Sequence, residues 1–197
     1  MKVIGITGPT GAGKTTALLV LEQMGAVIID CDAVYHRLLE SDLQLRQQLQ
    51  ERFGVLTDAS GRFDRKKLGG IVFRDPQALA DLNAIVYPYI GNAVEEELVR
   101  ARREGAVAAA IDGITLIESG LAARCDTTVA VVAPEEERVR RICLREGISE
   151  EYARARVAAQ KNSDWFGANC EHTLVNDCPQ MEEFSLRARS LFEEILN

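Results

Sequence analysis

The chain lacks any run of eighteen apolar residues, so no membrane-spanning helix is expected. It begins on a strand-like segment without the charged and apolar pattern of a secretory leader. Positive charge is in deficit: 23 Lys and Arg against 30 Asp and Glu give a net charge of −7. That argues against a nucleic acid partner, which calls for a broad basic face, while leaving room for a small basic pocket that takes phosphates. The cysteines Cys31, Cys125, Cys143, Cys170 and Cys178 are odd in number and never spaced C-x-x-C. A reduced, cytoplasmic protein is the expectation. Cys170, His172 and Cys178 match no usual zinc spacing. Repeats and low-complexity segments are also missing.

What remains is a chain of 197 residues, 47% hydrophobic and 27% charged, suited to one α/β domain with small excursions. "KVIGIT" reads as a buried strand, "KTTALLVLEQMG" as a helix closed by Gly25, and "AVIID" as a second strand ending near Asp30 and Asp32. This strand–helix–strand unit implies parallel strands with a right-handed crossover. From Ala33 to about Arg103 the apolar spacing becomes helical, with Leu45, Leu49 and Phe53 on one face and Asp75-Pro76 as a helix start. "TDASGRFD" reads as a loop. Strands resume at "AVAAAID" and "TTVAVVA". Helices follow in "PEEERVRRICLREG" and, capped by Ser149, in "SEEYARARVAAQKNS". "HTLVN" is a brief last strand, and the closing helix presents Met181, Phe184, Ala188, Leu191 and Ile195 on one side. The expected fold is α/β: a P-loop nucleotide-binding core with a mostly parallel five-stranded sheet covered by helices on both faces. Residues 1–32, 104–145 and 170–197 make the core, 33–103 a helical insert and 146–169 a small helical lid.

Between the first strand and first helix stands Gly8-x-x-x-x-Gly13-Lys14-Thr15, a complete phosphate-loop motif. Glycines let successive N–H groups face inward as an anion nest, and the helix that follows adds its positive end. Lys14 would reach the β- and γ-phosphates of ATP, and the Thr15 hydroxyl would ligate Mg²⁺. Asp112, ending an apolar strand, is placed either as a second metal-side acid or as a turn cap. Guanine recognition is not indicated: Lys161-Asn162-Ser163-Asp164 reverses the first two residues of N-K-x-D, and the D-x-x-G match at Asp58 follows no core strand.

A small-molecule kinase also needs a base, an acceptor pocket and cations around the transferred group. Asp32 is a candidate base, against the reading that Asp30 and Asp32 are solvated turn acids. Arg138, Arg140, Arg141, Arg145, Arg154 and Arg156 read either as a closing lid or as a solvated face paired with Glu136 and Glu137.

These residues, in this order, resemble the dephospho-CoA kinase family nearly end to end. The similarity includes "GITGPTGAGKTT", "VIIDCD", "GRFDRKKLGGIVF", "IDGITLIESGL", "APEEERVRRICLREGIS", "AAQ" and "VND". The resemblance implies ATP-dependent phosphorylation of the ribose 3′-hydroxyl of dephospho-CoA with Mg²⁺. It implies Asp32, Lys14 and Arg141 as catalytic residues. It places Gly8, Gly11, Ala12, Gly13, Lys14, Thr15, Thr16, Arg145 and Asn176 on ATP, and Thr15 and Asp112 on the metal. The acceptor side would comprise Asp32, His36, Asp64, Arg65, Tyr87, Pro88, Leu116, Glu118 and Gln160. The chain departs from the family pattern at Tyr87, where histidine is usual, at Ile114 and Thr115, and at "EHTLVN", with His172 near the place of an acid. A kinase for another small hydroxyl or nucleotide, or an ATP-binding module without turnover, are the alternatives.

Overall fold

In a computed structural model, described over residues 1–58 and 62–197, the elements run in chain order as follows. They are β1 (Lys2–Thr7), α1 (Lys14–Gln23), β2 (Ala26–Asp30), α2 (Cys31–Ser41), α3 (Leu43–Phe53), α4 (Arg65–Val72), α5 (Pro76–Arg103) and β3 (Ala108–Asp112). A 3₁₀ turn at Leu121–Arg124 precedes β4 (Thr127–Val132), α6 (Glu135–Glu146), α7 (Glu150–Ala158), α8 (Ser163–Ala168), β5 (His172–Val175) and α9 (Met181–Leu196). The chain divides into two compact units, Met1–Ile29 with Arg100–Asn197, and Asp30–Val99. Of the expected loop "TDASGRFD", residues Ala59, Ser60 and Gly61 lie outside the described residues.

In the first unit the strand order is β2-β3-β1-β4-β5, with β1 parallel to β3 and to β4, and β4 parallel to β5. β1 lies at the centre, so the segment leaving its C-terminal end emerges at the rim where ligands of such sheets bind. Every residue of β4 is buried, as continuous apolar runs covered on both faces should be. On one face Ile4, Ile6, Val129 and Val131 pack with Ala17 and Leu21 of α1 and with Phe184, Ala188 and Phe192 of α9. On the other, Ala130 and Val132 meet Phe166 of α8.

Two boundaries differ from the expectation. α7 stops at Ala158, and a separate helix, α8, starts after Asn162, whose Oδ1 accepts the Trp165 N–H at 2.9 Å. The asparagine cap breaks what periodicity alone joins. In α9, Met181 is 65% exposed, and the buried stripe is Phe184, Ala188, Phe192 and Ile195. Phe192 takes the inward place because it stands four residues after Ala188, in line with Phe184.

Among its described residues the second unit forms helices and an antiparallel bridge between Thr57 and Phe63. Its helix starts share one device. Asp30 accepts from the N–H groups of Asp32 and Ala33, Asp42 from Leu45, Asp64 from Lys67 and Asp75 from Gln77. Each carboxylate satisfies helix N–H groups that have no partner within the helix and sits at the positive end of the dipole. α5 runs for 28 residues straight through Pro88.

At Gly5 neighbouring side chains pack directly onto the backbone of β1. A Cβ there would lie 2.7 Å from Leu116 Cδ2 and 2.9 Å from Cys125 Sγ. Burial, with the charges of Asp126 and Glu171, pushes the Cys125 thiol up to about 12, so it packs as a neutral group. Gly5→Ala is expected to lower unfolding stability by about 1–3 kcal/mol through overpacking, read from urea denaturation, and an unchanged midpoint would contradict this packing.

Candidate active site

The loop between β1 and α1 can exist only with glycine at its critical points. Gly8 has φ 141° and Gly13 has φ 104°. A Cβ on Gly8 would lie 2.0 Å from Val131 O, and one on Gly13 would lie 2.2 Å from Asn176 Nδ2. The loop backbone is therefore pressed directly onto the end of β4 and the residue after β5. Gly13 is also the N-cap of α1 and offers no side-chain cap. The first N–H groups of that helix are thus left for an anion.

Beside the loop opens a cavity of about 480 Å³, bordered by Gly11, Gly13, Lys14 and Thr15 and by Arg141, Arg145 and Arg156. Four cations and a helix N-terminus around one cavity make a strong site for a polyanion. A second cavity, of about 240 Å³, shares Gly13 and Arg141 with the first and is lined further by Asn176, Pro179, Met181 and Phe184.

The arginines divide by environment. Arg140 pairs with Glu137 at 2.7 Å, and Arg154 with Glu136 at 2.7 Å and Glu150 at 2.8 Å. These are the exposed pairs that the solvated-face reading describes, and each adds little to stability. The Arg154 hydrogen bond holds the Glu136 carboxyl below its ordinary range. Arg145 and Arg156 both pair with Glu146, whose carboxyl is held low mainly by Arg145 and then Arg156. An arriving anion would compete with that glutamate for both guanidinium groups. Arg138, by contrast, is only 2% exposed.

Asn176, expected near the nucleotide base, is 7% exposed, and both ends of its amide are engaged. Its Nδ2 donates to Ala12 O at 2.9 Å, while its Oδ1 accepts from Arg141 at 3.2 Å. Its backbone N–H donates to Val132 O at 2.7 Å. The side chain thus ties the loop to Arg141 and does not present a free amide. Ala12 is fully buried, and Thr16 is half-buried beside the second cavity.

Asp112 ends β3 opposite Ile6 in register, beside the strand that leads into the loop. Thr15 stands exposed in the first turn of α1. A hydroxyl and a carboxylate are hard oxygen donors of the kind Mg²⁺ takes, and that ion needs only one or two protein ligands when phosphates and water supply the rest. The donor set therefore fits magnesium. Among the described residues no three His, Cys, Asp or Glu side chains gather as a metal cage.

Three candidates of the acceptor side fall in the first unit. Leu116 is fully buried against Gly5 and serves the core, so its side chain lines no surface. Glu118 is exposed. The Gln160 amide is bonded to Thr10 of the loop. At the departure around His172, the acid is Glu171: it accepts from the Thr127 hydroxyl and, at 3.2 Å, from the Thr128 N–H. Those bonds keep its carboxyl below the ordinary range and fix the start of β5 on β4.

The remaining candidates lie in the second unit. Asp32 and His36 are exposed and stand four residues apart on α2, hence on one face. Asp64 is the cap of α4, while Tyr87 is half-buried and Pro88 exposed on α5. Arg65 borders a cavity of about 510 Å³ together with Arg46 and Arg62, which motif reading does not single out. Tyr35, also missed, has its hydroxyl pKa raised by burial and opposed by the Arg65 charge. A lone arginine or tyrosine outside a motif's fixed positions carries no sequence signal of this kind.

Known proteins place the chain. The family model described as dephospho-CoA kinase matches residues 2–182. The chain belongs to the dephospho-CoA kinase family. It is 34% identical to a dephospho-CoA kinase of Thermobifida fusca over 99% of this chain and 96% of that one. It is 36% identical to the Dehalococcoides mccartyi enzyme of the same name, over 92% and 96% of the two chains. A Thermus thermophilus protein of known crystal structure superposes with a TM-score of 0.84 at 33% identity, covering 100% of this chain and 98% of its own. The family and the P-loop kinase fold expected from the motifs are both borne out.

Replacing the Asn176 amide by an isosteric apolar group leaves Ala12 O without its donor. Asn176→Leu is expected to cost about 1–3 kcal/mol of stability by chemical denaturation, and a loss within error of zero would show that the tie does not hold the loop.

Proposed function

We propose that the protein transfers the γ-phosphoryl group of ATP to the ribose 3′-hydroxyl of dephospho-CoA, releasing CoA and ADP, the last step of CoA biosynthesis. The observation that carries this reading is the cationic cavity beside Gly11, Gly13, Lys14 and Thr15, in a chain that matches the dephospho-CoA kinase model almost throughout. The triphosphate lies along the loop, with its β- and γ-phosphates against backbone N–H groups and Lys14. Arg141, Arg145 and Arg156 offset the negative charge that spreads over the transferred group. The smaller cavity, with its apolar Phe184 and Met181, suits the adenine.

The 3′-oxygen attacks the γ-phosphorus, and its proton passes to Asp32. The bond from the γ-phosphorus to the bridging oxygen breaks, and ADP leaves. Asp30 is already committed to its helix cap, whereas Asp32 is exposed, which supports Asp32 as the proton acceptor. Mg²⁺, held by Thr15 and Asp112, would neutralise phosphate charge. The helical unit, with Arg46, Arg62 and Arg65 around one cavity, suits the anionic acceptor, and His36, Asp64, Tyr87 and Pro88 belong to the same unit. Five free thiols fit a cytoplasmic setting, and among the described residues no helix is long and apolar enough to cross a membrane. A net charge of −7 suits small-molecule substrates and no nucleic acid.

Release of ADP is followed with dephospho-CoA and with a panel of other alcohols and nucleotides. Turnover with dephospho-CoA alone is expected, and turnover only with another acceptor would overturn the assignment. Asp32→Asn is expected to lower kcat by about 10²–10⁴ with ATP affinity nearly unchanged, and wild-type turnover in that variant would remove Asp32 from the mechanism. Lys14→Ala is expected to abolish transfer.

A further inference from the structure

Thr10, which is not among the nucleotide contacts that the motif names, has all of its polar groups held from outside the loop. Its N–H donates to Gln160 Oε1 at 3.0 Å, and its hydroxyl accepts from Gln160 Nε2 at 2.7 Å. Its carbonyl accepts from Arg138 Nε at 2.9 Å. Arg138 closes the ring by donating to Gln160 Oε1 at 3.3 Å. The guanidinium is buried, so each of these bonds replaces water that is no longer there. The approach is close in the backbone too: a Cβ on Gly11 would lie 2.8 Å from Arg138 O.

The two side chains come from elements that also carry the cavity's cations. Arg138 lies on α6 with Arg141 and Arg145. Gln160 follows α7, which bears Arg156. Val139 and Ile142 of α6 pack on Ala153 and Val157 of α7, so the helices behave as one block. Arg145 is exposed, and the tip of Arg156 pairs with Glu146. The block itself needs an anchor on the loop for those tips to stay at the cavity.

We propose that Arg138 and Gln160 are positioning residues for the triphosphate: by clamping Thr10 they hold the α6–α7 block, and with it Arg145 and Arg156, at the phosphate loop. The clamp touches no reacting atom. It acts by keeping long side chains near their target, which lowers the ordering cost of binding a highly charged ligand. The inference rests on the reading of the 480 Å³ cavity as the ATP phosphate site.

Affinity is measured for a non-hydrolysable ATP analogue with Mg²⁺ and for AMP, in the wild type, Arg138→Met, Gln160→Leu, Thr10→Val and the Thr10→Val/Gln160→Leu double variant. KM for both substrates is measured alongside. Loss of a charge-assisted anchor is expected to weaken the triphosphate analogue by about tenfold in Arg138→Met and Gln160→Leu. AMP affinity is expected to stay within about twofold in every variant, and KM for dephospho-CoA within about twofold in Arg138→Met, since neither depends on the cations at the β- and γ-phosphates. The double variant is expected to bind no worse than Gln160→Leu, because the two residues act through one contact. Unchanged analogue affinity, or equal weakening of the analogue and AMP, would overturn the clamp. Thr10→Val removes only one half-exposed hydroxyl and keeps the test decisive should the buried arginine variant not fold. A folded wild type that binds no ATP analogue overturns both this inference and the phosphate reading. If the wild type binds the analogue yet turns over no dephospho-CoA, the acceptor assignment falls, while selective loss of triphosphate affinity in the variants still supports the clamp.

Discussion

Val131 O, near the end of β4 beside the central strand, occupies the place where a side chain on Gly8 would begin, and Asn176 Nδ2 does the same at Gly13. This close approach to the loop backbone, by a carbonyl at Gly8 and a side-chain amide at Gly13, is the constraint on which the rest depends. It forces the loop into positive φ, which turns successive N–H groups to one side. It also brings three separate segments within reach of the loop: α6 through Arg138 and Arg141, the turn after α7 through Gln160, and the end of β5 through Asn176. A phosphate site of backbone amides has no side-chain specificity of its own. Its shape is therefore set by what leans on it, and here that is a ring of hydrogen bonds from elements more than a hundred residues away in the chain.

The same economy governs the carboxylates. Asp30, Asp42, Asp64 and Asp75 each start a helix of the second unit by accepting backbone N–H groups. That leaves Asp32, next to one such cap, exposed in the first turn of α2. Two acids that motif reading treats as near equivalents thus differ in kind: Asp30 builds the helix, and Asp32 is free of that duty. Glu171 is a third case, spent on Thr127 and Thr128 to pin β5.

What motif and periodicity made legible follows from how local each signal is. The phosphate loop, the five strands and the caps at Asp75 and Ser149 depend on residues within a few positions of one another, so the sequence carries them directly. The break between α7 and α8 was hidden because an asparagine cap inside a polar stretch reads as helix. Leu116 matched a motif, yet its side chain fills the space that Gly5 leaves. Asn176 and Gln160 also matched motifs, but their amides face Ala12 and Thr10 rather than open space. Contacts between residues 130 to 164 positions apart leave no spacing to read. The arginines show the same split: exposed pairs at Arg140 and Arg154 obey the local rule, whereas Arg138 is decided by long-range burial.

Amide chemical shifts test most directly whether the inward-facing amides of this loop hold the phosphates of ATP. Backbone resonances are followed by NMR while MgATP is added to the full chain. The largest shifts are expected at Gly11, Gly13, Lys14 and Thr15, saturating together with turnover of dephospho-CoA. Saturable ATP binding that leaves those four amides unmoved would contradict this role of the loop.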